Sequence, residues 1–329
     1  MANLKTTYLG LELKNPIIVG SSRLSATVEK IKDLEASGAG AVVLKSLFEE
    51  QIEYEAERAF TTQEGEGYHY QEAADYIKGY SRDNKVGDYL KMIKEAKEAV
   101  DIPIIASVNC VSAREWISYA QKFEEAGADA LELNIFILPS DPYHSAKDNE
   151  KIYFEIAEKV KKKVNIPVAL KVSYYFSGLS KTLRELSWTG IDGLVLFNRF
   201  FSPDIDIEQM KVTSSFVFSS PEAIAISLRW VAMMSGLVHC DLAASTGIHD
   251  GKGVVKQLLA GANATQITSV LYNEGLSTIG EILKDVEEWM DRHGYESIED
   301  FRGKMSQKEI ENPAAYERVQ FMKHFSGIE

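Results

Sequence analysis

The sequence predicts an α/β protein of the (β/α)8 TIM-barrel class, and three observations carry that expectation. Eight short apolar runs alternate with longer amphipathic segments, the pattern of parallel strands each followed by a helix. Four helix-to-strand junctions share one design, a glycine closing the helix and a short step into an apolar strand: SGAGAVVL (37–44), AGADALEL (126–133), TGIDGLVL (189–196) and AGANATQI (260–267). Two more, DIPII (101–105) and NIPVA (165–169), open the strand with proline. A turn made repeatedly to one plan argues for a repeated unit rather than two unlike domains, so residues 1–329 are expected to form a single barrel domain.

Taken in order, residues 3–14 read as two short strands around Leu9-Gly10, a small hairpin lid ahead of the first core strand. The core runs are PIIVGSS (16–22), AVVLKS (41–46), PIIASV (103–108), ALELNIF (130–136), PVALKVS (167–173), GLVLFN (193–198), HCDLAAS (239–245) and ATQITSV (264–270). Helical patterns occupy 26–37, 87–99, 112–126, 150–163, 178–188, 221–235, 251–260 and 276–292. The stretch 47–86, rich in Glu, Gln and Tyr, is a long insertion after the second strand, of the kind used as a lid or an interface arm. Residues 305–329 form a polar helical tail expected to pack on the outside of the barrel or on a second subunit.

Composition narrows the partners. The chain has 329 residues, 45% hydrophobic and 26% charged, and no apolar run approaches the roughly 20 residues a spanning helix needs, so no membrane partner is expected. The N-terminus lacks a basic region followed by an apolar one, which leads to an expected cytoplasmic location. With 49 acidic against 36 basic residues the net charge is −13, which disfavours nucleic acid as a partner. Cys110 and Cys240 are far apart and build neither a disulfide framework nor a zinc or iron–sulfur site, and the six histidines show no ligand spacing, so no metal is expected.

In a βα barrel the chemistry sits at the C-terminal ends of the strands. Polar residues closing the runs are Gly20, Ser21 and Ser22; Lys45 and Ser46; Asn109; Asn134; Lys171 and Ser173; Asn198; Ser245, Thr246 and Gly247; Thr268 and Ser269. A lysine at the head of a buried strand needs an anion or an electron-rich ligand, which makes Lys45 and Lys171 the most informative members. Thr246-Gly247 and Thr268-Ser269, after the seventh and eighth strands, are the best phosphate-binding candidates. Asn134 and Asn198 can present amides to the edge of a planar heterocycle. Neither a dinucleotide-binding glycine motif nor a P-loop occurs.

As a set, in this order and spacing, these segments resemble the FMN-dependent dihydroorotate dehydrogenase family. The resemblance runs from YLGLELKNPIIVGSS through LKS, LELN, ALKVS, LFN, STGI and TQITSVLYNEG to YESIEDFRGK. It implies FMN as cofactor, a place in pyrimidine biosynthesis and a homodimer. Gly20, Ser21, Lys45, Ser46, Asn109, Asn134, Lys171, Asn198, Thr246, Gly247, Thr268 and Ser269 would contact the flavin, with Asn134 and Asn198 also facing substrate. Lys171 would stabilise negative charge at the pyrimidine end of the reduced ring. The family's Cys or Ser base follows the strand-end asparagine, in a motif like LN-x-S-C/S-P-N; here LNIFILPSDP puts Ile137 or Leu138 there and Ser140 in place of the next asparagine. Ser140, His144, Tyr143 and His69 are the candidates to replace that base. The expected activity is oxidation of dihydroorotate or a related dihydropyrimidine-like ring by hydride transfer to the flavin, with an unidentified electron acceptor. Two other readings stay open: a flavin-binding sensor or electron-transfer protein without such turnover, and a flavin-free phosphate-ester lyase or isomerase using Lys171 as a Schiff-base amine.

Overall fold

Eight parallel strands close on themselves. The structure is a computed structural model that describes residues 2–48, 71–109, 113–199, 202–214 and 217–317, with the side chains of 71–83, 113 and 114 outside that description. A hairpin, β1 (Thr6–Tyr8) and β2 (Leu11–Leu13), comes first, followed by β3 (Ile17–Val19), β4 (Ala41–Val43), β5 (Leu47–Phe48), β6 (Ile104–Asn109), β7 (Ala130–Asn134), β8 (Val168–Val172) and β9 (Gly193–Leu196). After a second hairpin, β10 (Pro203–Asp206) and β11 (Lys211–Ser214), come β12 (Asp241–Ser245) and β13 (Ala264–Ile267). The order β4-β3-β13-β12-β9-β8-β7-β6 is sealed by β4 pairing with β6, and β5 extends β6 at its C-terminal end. All eight expected runs are therefore barrel strands.

The junction glycines do what the sequence asks of them: Gly38, Gly127, Gly190 and Gly261 have φ of 106°, 94°, 90° and 113°, left-handed values that let the chain leave a helix and enter the next strand. Outward faces of the strands pack on the helices in one large apolar core that includes Trp116, Phe123, Leu183 and Met290. Inward faces form a second, smaller cluster: Ile18, Ala41, Val43, Ile105, Ala130, Ala169, Val195, Ala243 and Ala264, with Tyr8, Leu9 and Leu13 from the first hairpin.

That membership corrects the expectation of a hairpin lid. Leu9 N donates to Asp241 Oδ2 at 2.7 Å, Thr6 Oγ1 donates to Asn263 O at 3.0 Å, and a Cβ at Gly193 would lie 2.5 Å from Leu9 Cδ2. Asp241 and Gly193 are first residues of their strands, so the hairpin plugs the N-terminal end of the barrel, opposite the mouth where strands finish. Its Leu9-Gly10 turn has positive φ at both residues, the geometry that joins twisted antiparallel strands in two residues.

Two elements differ from the expected layout. The helix expected at 87–99 runs from Gln71 to Ala99. Its buried residues Val86, Tyr89, Ile93 and Ala96 are the helical stripe, and the polar residues before them gave no periodic signal. The β10–β11 hairpin was not anticipated, because PDID and KVTS are short and largely polar. Residues 49–70, His69 among them, and Cys110 lie outside the described residues. The tail to Glu317 crosses two outer helices, with Gly303 N on Leu258 O, Met305 N on Leu259 O and Gln307 N on Ala232 O, each at 2.8–2.9 Å. Among the described residues no helix is long and apolar enough to cross a membrane.

Candidate active site

Alternation along the strands builds the site. The inward residues Ala130, Ala169 and Ala264 make an apolar lower layer. Two residues on, the same face carries Glu132, Lys171 and Gln266, and Ile105 is followed in the same way by Ser107. The barrel interior therefore changes from apolar to polar one pleat below its mouth.

Glu132 and Lys171 are 1% and 9% exposed. Lys171 Nζ donates to Gln266 Oε1 at 2.7 Å and stands 3.7 Å from Glu132 Oε1, while Gln266 Nε2 donates to Glu132 Oε2. A buried charge needs a partner of opposite sign, and this triad supplies it. The Tyr8 hydroxyl lies deeper in the barrel without a hydrogen-bond partner among the described residues. Burial first, then the Glu132 and Asp241 carboxylates, hold its pKa well above the usual tyrosine value, so Tyr8 stays neutral.

Above the triad, Asn198 Nδ2 donates to Asn134 Oδ1, and Asn198 Oδ1 accepts from the Arg199 amide at 3.1 Å. On the other side Ser46 ties three strand ends together. Its amide donates to Ser21 Oγ at 2.8 Å, its hydroxyl shares hydrogen bonds with Ser21 and Ser107, and Ser107 is held in turn by the Tyr89 hydroxyl. Two adjoining cavities open here. The larger, about 600 Å³, is lined by Ser21, Lys45, Asn134, Lys171 and Asn198 with Phe48, Phe218 and Tyr272. The smaller, about 180 Å³, shares Ser21, Lys171 and Asn198 and ends among Ser219, Thr246, Gly247, Thr268 and Ser269. Their combined linings hold Arg23, Lys45, Lys171 and Arg199 and, among the described residues, no carboxylate, on a chain of net charge −13. The mouth is built for an electron-rich or anionic ligand.

The phosphate-candidate end is turned sharply, with Thr246 and Gly247 at φ of 78° and 80°. A Cβ on Gly247 would fall 2.1 Å from the Ile224 amide nitrogen, so this position accepts only glycine. Ser219 lies across the two loops: its amide donates to Ser269 Oγ at 3.0 Å, and its hydroxyl accepts from Gly247 N at 3.4 Å and meets His249 Nε2 at 3.1 Å. Gly20 N donates to Ile267 O, and Thr268 Oγ1 turns back onto the same carbonyl.

The expected site residues thus divide. Ser21, Lys45, Ser46, Asn134, Lys171, Asn198, Thr246, Gly247, Thr268 and Ser269 line the two cavities, and Gly20 sits just behind. Asn109 closes β6 opposite Phe48 and lines neither. Ser140 and His144 are exposed, Tyr143 is 93% exposed, and His144 pairs with Asp141 at 3.3 Å. His144 lines a different cavity, with Ile137, Tyr153, Tyr174 and Tyr175, outside β7 and β8. Ile137 is half-buried, and its amide donates to the Tyr153 hydroxyl at 3.3 Å. Glu132, Ser107, Gln266, Ser219 and Arg199 were missed. Counting strand parity onward from the inward apolar residues Ala130, Ile105 and Ala264 would have found the first three; the last two stand outside regular strands and had no such signal.

A family profile described as dihydroorotate dehydrogenase matches residues 3–290. Curated relatives agree along nearly their whole length. The dihydroorotate dehydrogenase B (NAD(+)) catalytic subunit of Thermoplasma volcanium is 28% identical over 325 residues, covering 92% of this chain and 98% of the relative. That of Pyrococcus furiosus is 27% identical over 311 residues, with 92% and 98% covered. Dihydroorotate dehydrogenase A (fumarate) of Lactococcus lactis subsp. lactis is 27% identical over 322 residues, with 92% and 99% covered. With the profile spanning most of a barrel whose polar groups gather at the strand ends, this chain belongs to the dihydroorotate dehydrogenase family.

Proposed function

We propose that the chain is an FMN-dependent oxidoreductase that acts on a CH–CH bond of dihydroorotate or a related dihydropyrimidine-like ring. The observation that carries this reading is a buried lysine opening onto a cavity from beneath, beside two linked asparagine amides. The residues fit FMN: the larger cavity offers aromatic walls and ring-edge donors, and the smaller one offers the Ser269 hydroxyl in a carboxylate-free pocket. Bound there, FMN supplies the hydride acceptor.

The chain's own residues supply position and charge. Lys171 Nζ donates a hydrogen bond to Gln266 and lines the cavity, where its charge stabilises negative charge in the transition state. The Asn134–Asn198 bond fixes both amides against rotation, so they orient a planar ring at no further ordering cost. Ser21 and Ser46, locked to Ser107, hold the opposite edge of the mouth. Phe48, Phe218 and Tyr272 form an aromatic wall of the cavity, the last two stacked with centroids 5.1 Å apart.

A second reading, a flavoprotein that exchanges electrons without removing a substrate proton, is favoured by Ile137. That aliphatic side chain stands three residues beyond Asn134, where no proton can be accepted. One experiment separates the readings. Purified protein is expected to show the two visible bands of oxidised flavin, and anaerobic dihydroorotate is expected to bleach them within the mixing time of turnover assays. Bands bleached by dithionite but by no dihydropyrimidine would favour the second reading, and colourless protein that takes up no FMN would sink both.

A further inference from the structure

The Glu132 carboxylate is a buried charged group of the barrel interior that the proposed chemistry leaves without a task. It lines neither cavity; Lys171 lines both and stands between them and Glu132. Oε2 accepts from Gln266, whereas Oε1 is fully buried with no hydrogen-bond donor among the described residues. An ammonium and a carboxylate in direct contact sit at about 2.7–2.9 Å. Here they stand at 3.7 Å, because the direct bond of Lys171 goes to the Gln266 carbonyl oxygen and the Gln266 amide goes to Glu132. The glutamine is a spacer: it bonds the ammonium and one carboxylate oxygen and keeps the two charged groups from collapsing onto each other. A carboxylate with a bare oxygen is costly to bury, and a stable core would favour closing that gap.

Resting on the FMN reading, we infer that Glu132 and Gln266 are positioning residues that act through Lys171 and set how much positive charge it presents to the cavity. Glu132 trims the field of the ammonium from behind. Gln266 prevents that trimming from becoming cancellation, by holding the carboxylate off and the ammonium forward. The two residues therefore push the flavin's affinity for negative charge in opposite directions, though they touch each other and bury alike.

Opposite signs are what a merely structural role would not produce. Sulfite is a suitable probe: its sulfur donates an electron pair to form a bond at flavin N5, and the negative charge passes to the pyrimidine half of the ring. Titrating FMN-loaded protein with sulfite reads that charge without turnover. Glu132→Gln, nearly isosteric, is expected to tighten the adduct by tenfold or more, since one unit charge removed from as far as ~12 Å is worth about that much at an effective dielectric of ~20. Gln266→Met, which lets Glu132 and Lys171 close together, is expected to weaken it, and Glu132→Asp is expected to fall near the wild type. Should Glu132→Gln load poorly, the sign of the Gln266→Met shift decides alone. Flavin-loaded variants that shift in the same direction, or not at all, would overturn the inference while leaving the FMN reading intact. Protein that takes up no FMN would overturn both.

Discussion

Groups delivered to the mouth by strands and groups carried there by the loop 135–145 differ in burial and in bonding. Lys171, Glu132, Gln266 and Ser107 each sit on a strand, are buried, and are bonded across two or more strands. Ser140, Tyr143 and His144 sit ten residues or fewer beyond Asn134, yet they are exposed, and their bonds are local, to Asp141 or Leu138. A strand fixes its side chains through the sheet register, whereas a Pro-Ser-Asp-Pro loop fixes little beyond its own turns. On the proposed function, the flavin side of the mouth is thus built into the barrel wall, and the substrate side hangs from a loop in which half-buried Ile137 is aliphatic.

Substitutions can break or sharpen that contrast. Lys171→Met should have the largest effect, slowing flavin reduction by the best donor about 10²–10³-fold in stopped-flow absorbance, as for loss of a preorganised charge-stabilising group. A loss below tenfold would mean that the wall-built group is not the one that matters. Gly193→Ala should come next and act only on the fold: its new Cβ would lie 2.5 Å from Leu9 Cδ2, costing about 1–3 kcal/mol of stability by overpacking. Chemical denaturation should register it while the flavin spectrum stays unchanged, since the plugged end lies opposite the mouth. Ser140→Ala and His144→Ala should change the reduction rate by less than about twofold, as exposed loop residues away from the reacting ring do; a tenfold loss in either would mean that the loop folds inward during turnover. Smallest of all should be labelling of Cys240. Burial first, then the Asp241 and Asp192 carboxylates, push its thiol up to about 12, so at about pH 8 almost no thiolate forms. Peptide mapping after iodoacetamide should leave Cys240 unmodified until the protein is unfolded.

Much of the architecture was legible because barrels write it twice, in strand hydrophobicity and in the junction glycines. Gly38, Gly127, Gly190 and Gly261 marked where helices end before any contact was known. The site was legible where a strand ended in a polar residue, as with Asn134 and Lys171. It was not legible where a polar residue stood inside the strand: Glu132 in ALELN looks like a solvent-facing alternation until the sheet is seen to be closed and buried on both faces. Gln266 was hidden likewise in ATQI. The β10–β11 hairpin is local, but its strands are too short and polar to leave a pattern; Ser219 depends on a contact far off in sequence, with Ser269 fifty residues on, and local pattern carries no trace of such a meeting.

The N-terminal hairpin has a consequence beyond packing. By filling the N-terminal end with Tyr8, Leu9 and Leu13 it turns a tube, among the described residues, into a cup. On the proposed function, the donor that reduces a ring at the floor of that cup and the oxidant that takes its electrons both work at the C-terminal mouth. Removing residues 2–13 would open the base beneath Glu132, whose carboxylate already acts on the Tyr8 hydroxyl, so the first dozen residues keep the floor of the cup dry.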